Sequence, residues 1–217
     1  MSTQIGLSKL HYALMTSDPT GGTPVYAAPV AFVGGAIQAN INPNTSMETL
    51  FGDDGPMEVA TSLGQVELEI VQSDLTLEEQ AILLGHTLSG GVLHRKSTDV
   101  PPWVAIGFKT LKSNGSYRYV WLAKGKFSLP EMKHETKGDS VSFQTPTLKG
   151  SFVKRDADDE WIKQADQDSA TYVSSIGTDW FNGVYTVDTV APTVTSVPAD
   201  AATAVVVSAN VVFTFSK

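Results

Sequence analysis

Four histidines, one aspartate doublet and one acidic run are the residues of this sequence whose types could do chemistry. His11, His86, His94 and His134 stand far apart, and none has a partner at i+3 or i+4 that would complete a helical metal pair. Asp53-Asp54 has the make-up of an acid/base or cation-binding pair, but Gly55-Pro56 follows it, and that combination predicts a solvated turn. The run DADDEWIKQADQD, residues 156–168, lacks the DxDxDG spacing of a calcium loop and predicts a solvated face or linker. No nucleophile elbow, phosphate-cradling glycine loop or zinc-type spacing occurs. Gly34-Gly35 and Gly90-Gly91 read as loop or bulge glycines. The residues therefore point away from an enzyme, and no cofactor or metal is expected.

Charge distribution is more informative than its total of −8. Residues 1–155 hold 13 basic and 14 acidic side chains, whereas residues 156–217 hold 2 and 9, so the acidity belongs to the C-terminal part. A nearly neutral body carries no clustered Lys and Arg of the kind that grips DNA by displacing counterions. The chain has no cysteine, which excludes disulfides and thiolate metal sites and fits synthesis in a reducing cytoplasm. The first fifteen residues lack a basic segment followed by an unbroken apolar core, so no secretion signal is expected, and no run reaches membrane-span length.

Eighteen glycines, eleven prolines and many strand-forming residues predict a mainly β fold with one packed helix. Residues 5–15 could form a short strand or a docking arm. Ile37, Ala39 and Ile41 alternate with polar residues, as do Val66, Leu68 and Ile70 with Glu67 and Glu69, predicting two half-buried strands. Between them Pro43–Gly64 is turn-rich and reads as a long loop, uncommon in a compact domain unless it has a task. Thr76–Gly85 predicts a helix, with Thr76 and Glu79 forming a capping box, Gly85 ending it, and Leu77, Ala81 and Leu84 on one face. Asn114-Gly115 between two β-rich runs predicts a two-residue type I′ hairpin. That register would set Phe108 opposite Trp121, Thr110 opposite Tyr119 and Lys112 opposite Tyr117, with Arg118, Lys124 and Lys126 on the other face. Further strands are expected over Val141–Thr145 and Leu148–Val153, and a short helix with aromatic anchors within Thr171–Tyr185.

Several of these segments are more specific than generic turns. GLSKLHYAL, LFGDDGP, TSLGQVELEIVQSDL, LLGHT, KSNGSYRYVW followed by KGKF, and ETKGDSV followed by FQTPT occur in this order. From about Ile5 to about Phe181 the chain thereby resembles the major tail proteins, or tail tube subunits, of long-tailed non-contractile phages and prophages of Gram-positive bacteria. The resemblance implies a tail-tube-type β-sandwich or barrel over residues 1–185 that closes into rings, hexameric in that family, and stacks into the conduit for DNA ejection. It implies a location in the virion after synthesis in the host cytoplasm. The implied partners are other copies of the chain, a tape measure protein, a tail terminator and distal tail proteins, with DNA passing through unbound and no membrane contact. Residues 186–217 resemble a linker and the opening of a bacterial immunoglobulin-like domain, with Val211, Phe213 and Phe215 alternating. A complete sandwich takes about 100 residues.

Two sets of site residues follow. Pro43–Gly64 lies where the family carries its inter-ring arm, with Met47, Leu50, Phe51 and Met57 as apolar anchors and Asp53, Asp54 and Glu58 as a polar rim. Glu67 and Glu69, the polar side of an apolar strand, are candidates for the lumen wall. The competing function is a cell-surface or carbohydrate-binding adhesion module, suggested by the aromatic residues and the immunoglobulin-like terminus. It would require export.

Overall fold

Among the described residues the elements follow in the order β1 (Gln4–Ser17), β2 (Val25–Tyr26), β3 (Val30–Ala31), β4 (Ala36–Gly52), β5 (Gly55–Gln72), α1 (Leu77–Leu84), β6 (Thr87–Ser89), β7 (Val92–His94), β8 (Val104–Lys112), β9 (Tyr117–Phe127), β10 (Thr147–Val153), β11 (Ile162–Asp166), α2 (Ser174–Asp179), β12 (Val194–Val197) and β13 (Val212–Phe215). The computed structural model describes residues 2–132, 136 and 143–185, and the backbone of 194–197 and 212–215. The chain is mainly β, as its composition predicts. His134, the linker at Asp188–Pro192, Val211 and the start of the strand expected over Val141–Thr145 lie outside the described residues. The chain divides into two compact units, Met1–Tyr185 and Thr186–Lys217. In the second, β12 and β13 form an antiparallel pair.

One antiparallel sheet dominates the first unit, in the order β2-β1-β8-β9-β10-β5-β4, with β3 added beside β1 and β11 beside β9. The expected strand or arm at residues 5–15 is thus a strand, β1, paired along β8. β9 changes partner along one edge, pairing with β11 over Arg118–Leu122 and with β10 over Lys124–Phe127. β1 comes to lie beside β4 without a ladder between them, so the sheet rolls toward closure. Inside the roll is the main core, with Val66, Leu68, Ile70, Ile106, Leu122 and Phe152 almost fully buried.

α1 forms as predicted at its ends. Thr76 Oγ1 accepts from the Glu79 amide, the Glu79 carboxylate accepts from the Thr76 amide, and Gly85 takes φ +73° at the C-terminus. Its buried face is the expected one only in part, at Leu84. Glu79, Leu83 and Leu84 are buried, while Leu77 is exposed. Glu79 also accepts from the Val33 amide at 2.7 Å, which draws that side chain inward and turns Leu83 into the core. A capping residue with a second task sets the helix rotation.

The β8–β9 hairpin exists, with a different turn and register. Lys112 closes on Ser116, so Ser113-Asn114-Gly115 is a three-residue loop, and of these only Gly115 has positive φ, +84°. Asn114 is held otherwise: its Oδ1 accepts from the Ser116 amide and hydroxyl, and its Nδ2 donates to Asp168 at 2.9 Å. This is a type I turn with a left-handed third residue. The one-residue slip sets Phe108 opposite Val120, Thr110 opposite Arg118 and Gly107 opposite Trp121. Phe108 therefore joins the inner core, and Tyr119 and Trp121 cover the other face. Trp121 lies across Gly107, where a Cβ would stand 2.6 Å from the indole. A bulge in β9 between Leu122 and Gly125 then inverts the alternation. Arg118 consequently points to the inner side and Lys124 and Lys126 to the outer, so the expected single basic face is split.

The outer face of the sheet is covered over only half its width. α2 and the residues after it lay Trp180, Phe181 and Val184 on Ala13, Ala105, Tyr119 and Trp121. Trp121 Nε1 donates to the Trp180 carbonyl at 2.8 Å, and the Trp180 ring stacks on Tyr185 at 5.1 Å. The short helix with aromatic anchors is present. Across β4, β5 and β10 the same face is bare.

The acidic run is no linker; Asp156, Asp158, Asp159 and Asp168 are exposed, as a solvated face would be, but its carboxylates are engaged by cations of the sheet. Lys112 bonds Asp166 at 2.6 Å and also Asp168, and Arg118 shares Asp166. Lys124 binds Asp18 and Asp156, each at 2.7 Å, and fully buried Arg155 binds Asp158 and Glu160. The carboxylates follow three cations that the sheet buries, and this pairing straps 155–168 across it. The Lys112 ammonium, aided by Arg118, holds the Asp166 carboxyl down to about 2, and Lys112 likewise lowers Asp168. An aspartate in an unfolded chain titrates near ~3.9. The strap's stabilisation is therefore complete above about pH 4 and is lost as pH falls toward 2. Asp166→Asn should be less stable than the parent at pH 7 and converge with it below about pH 2. Acid titration of thermal stability measures this; a constant difference at all pH values would show that Asp166 does not carry the effect.

Candidate assembly surfaces

The segment expected as a loop over Pro43–Gly64 is a β-hairpin, formed by the outer halves of β4 and β5: Thr45 pairs with Leu63, Met47 with Thr61, Thr49 with Val59, Phe51 with Pro56 and Gly52 with Gly55. Asp53 and Asp54 are the two turn residues, at φ +47° and +64°. Two successive positive φ values match the right-handed twist of the flanking strands in a type I′ turn. The turn-forming residues that suggested a loop thus serve one tight turn and the bulges beside it. From Thr45 to Gly52 the arm rises about 25 Å.

Register sorts the arm's side chains onto two faces. One carries Thr45, Met47, Thr49 and Phe51 against Leu63, Thr61, Val59 and Pro56, with no charge among them. The other carries Ser46, Glu48 and Leu50 against Ser62, Ala60 and Glu58. Met57 is the extra residue of a bulge and lies over Gly52, where an added Cβ would meet its sulfur. Of the expected anchors, Met47 and Phe51 therefore share the uncharged face, Leu50 and Met57 occupy the other beside Glu58, and Asp53 and Asp54 form the tip. All are exposed, Met47 at 72% and Phe51 at 71%. An isolated two-stranded ribbon is marginal in water, and exposed apolar side chains on one uncharged face mark a surface that another molecule covers. β4 is also an end strand, with no ladder on its outer backbone edge among the described residues. Sequence reading missed Thr45, Thr49, Val59, Thr61 and Leu63. Their signal was present as a period of two through Thr45, Met47, Thr49 and Phe51.

Glu67 and Glu69 lie on the bare half of the outer face. Across the strands Glu69 stands between Asn40 and Lys149, and Glu67 between Asn42 and Ser151, with Lys126 beyond. Two carboxylates and two ammonium groups leave this polar patch without net charge. Of the basic residues expected on one face of the hairpin, Arg118 and Lys124 are engaged within the chain, by Asp166 and by Asp18 and Asp156.

His86 Nδ1 and Asp99 are 2.7 Å apart, and Asp99 also accepts from the Lys96 amide, which pins the end of α1 to the 96–99 turn. Among the described residues no group of three His, Asp or Glu side chains could hold a metal ion, and no helix is long and apolar enough to cross a membrane. No protein-family model matches the chain, and no curated protein is similar to it.

Proposed function

We propose that the chain is a tail tube subunit, a structural protein whose copies form rings, hexameric as the resemblance implies, that stack into a conduit for DNA. The observation that carries this reading is the arm: a hairpin that projects from a rolled sheet and exposes an uncharged face of Met47, Phe51, Val59 and Leu63. A second copy supplies what such a face and an unpaired edge strand lack. The tape measure, tail terminator and distal tail proteins would meet the ends of the stack. Electron microscopy of the purified protein at high concentration tests the reading; rings or tubes are expected, and a monodisperse monomer would refute it. The adhesion reading has less to support it. Trp103 is the only exposed tryptophan, and its ring already faces the ammonium groups of Lys124 and Lys126, at 5.0 and 4.6 Å.

In this reading the bare polar half of the outer face lines the conduit. Its balanced Glu67, Glu69, Lys126 and Lys149 give passing phosphates little to hold. Reversing both glutamates to lysine would leave four cations there and create a counterion-releasing DNA site. Glu67→Lys/Glu69→Lys tubes are expected to assemble normally, bind DNA in a salt-dependent way and deliver it slowly. Unchanged delivery and infectivity would remove this face from the lumen.

A further inference from the structure

The uncharged face of the arm continues past its root. Leu63, the residue of that face nearest the body, walls a cleft of about 580 Å³ whose other apolar walls are Trp103 and Val153. The charges around the cleft are mostly satisfied within the chain. Lys124 is held by Asp18 and Asp156, and Lys154 by Asp159. Lys126 differs: its ammonium sits 4.6 Å from the Trp103 ring centroid and has no carboxylate partner among the described residues. The cleft thus offers an apolar floor, and at its edge, over the Trp103 ring, an ammonium that is in no ion pair among the described residues.

The tip of the arm has the complementary composition. Phe51 is exposed at 71%, and the adjoining Asp53 and Asp54 have no cationic partner among the described residues. We propose that the cleft at the root of the arm receives the arm tip of a second copy, with Phe51 on Trp103 and Val153 and the two aspartates toward Lys126. This rests on the assembly reading above and adds where the tip lands. Within one chain the tip stands about 25 Å from the root along a register-paired ribbon, so it does not fold back into its own cleft. Two unlike patches held apart in this way make a head-to-tail contact, and one that does not close on itself propagates as a filament.

The chain has no cysteine, so introduced pairs report proximity without background. The full-length Asp54→Cys/Lys154→Cys protein, assembled and mildly oxidised, is expected to give a ladder of covalent multimers, and Asp54→Cys/Glu78→Cys, with its second thiol on α1, is expected to give none. Tubes that show no ladder with the first pair, or a ladder only with the second, would place the tip elsewhere and overturn the proposal while leaving the assembly reading intact. A parent protein that stays monomeric and a first pair that gives no ladder would overturn both. Trp103→Ala removes a partly exposed side chain and should raise the concentration needed for tubes at least tenfold with an unchanged melting temperature. Tubes at the parent concentration would also count against the cleft.

Discussion

Cutting the arm back to its root is expected to leave a folded subunit that forms no tubes. Thr45 pairs with Leu63, so joining Thr45 to Asp53 and Asp54 to Leu63 shortens both strands together and keeps the two turn residues. Every residue removed is exposed or at the tip, so the core is untouched and the change in stability should stay within about 1 kcal/mol. What is lost is the whole uncharged face outward of the root, including Met47, Phe51 and Val59. Removing residues 46–58 alone would instead strand Val59–Ser62 without partners and confuse lost assembly with an exposed strand. Thermal melting and electron microscopy of the register-preserving deletion measure the two effects separately. Tubes of normal length would show that the arm does not stack the subunits.

The largest single-residue loss of stability is expected at Trp180. Trp180→Ala should cost about 4 kcal/mol and lower the melting temperature by roughly 10 °C for a unit of this size. Trp180 is 1% exposed and, with Tyr185 stacked on it, covers Trp121 and Tyr119. Its own indole N–H is buried without a partner among the described residues, so Trp180→Phe keeps most of the packing, removes an unsatisfied donor and should cost much less. Truncation should divide at the same place: a chain ending at Tyr185 melts like the parent, and one ending at Asp179 behaves like Trp180→Ala or worse. Equal melting temperatures for the two truncations would show that the aromatic cover adds nothing. A chain ending at Tyr185 that melts normally but forms no tubes would assign an assembly role to the segment beyond it.

Local signals made much of the fold legible. The alternation in Val66–Ile70, the Thr76/Glu79 cap with Gly85, and the existence of a hairpin at Asn114-Gly115 all depend on residues close in sequence, and all appear in the structure. What failed depended on distant partners. Asn114 adopts its backbone conformation while bonded to Asp168, 54 residues away, and that bond accompanies a one-residue change of register. The acidic run is largely exposed, as read, but its ion pairs were not legible because Lys112, Arg118 and Lys124 are far from it in sequence. The arm looked like a loop because both its faces are exposed, so no alternation of burial distinguishes them, and its Gly and Pro residues dominate the local reading. Its anchors were named from sequence, but their division between two faces required the register. The cleft at its root was not legible, since Leu63, Trp103 and Val153 come from three separate strands or their borders.

The pairing of β1 with β8 sets a timetable for biogenesis. Gln4 finds its partner at Lys112, so the first strand leaves the ribosome with about a hundred residues still to come before its ladder can form. At ordinary bacterial or eukaryotic translation speeds that wait is roughly 5–20 s. During it β1 presents Leu10 and Tyr12 to solvent, and the apolar arm emerges into the same unfinished chain. Non-local pairing of this kind also slows folding after release. Nascent chains on neighbouring ribosomes of one message therefore share a period in which their arms are exposed before their bodies have closed.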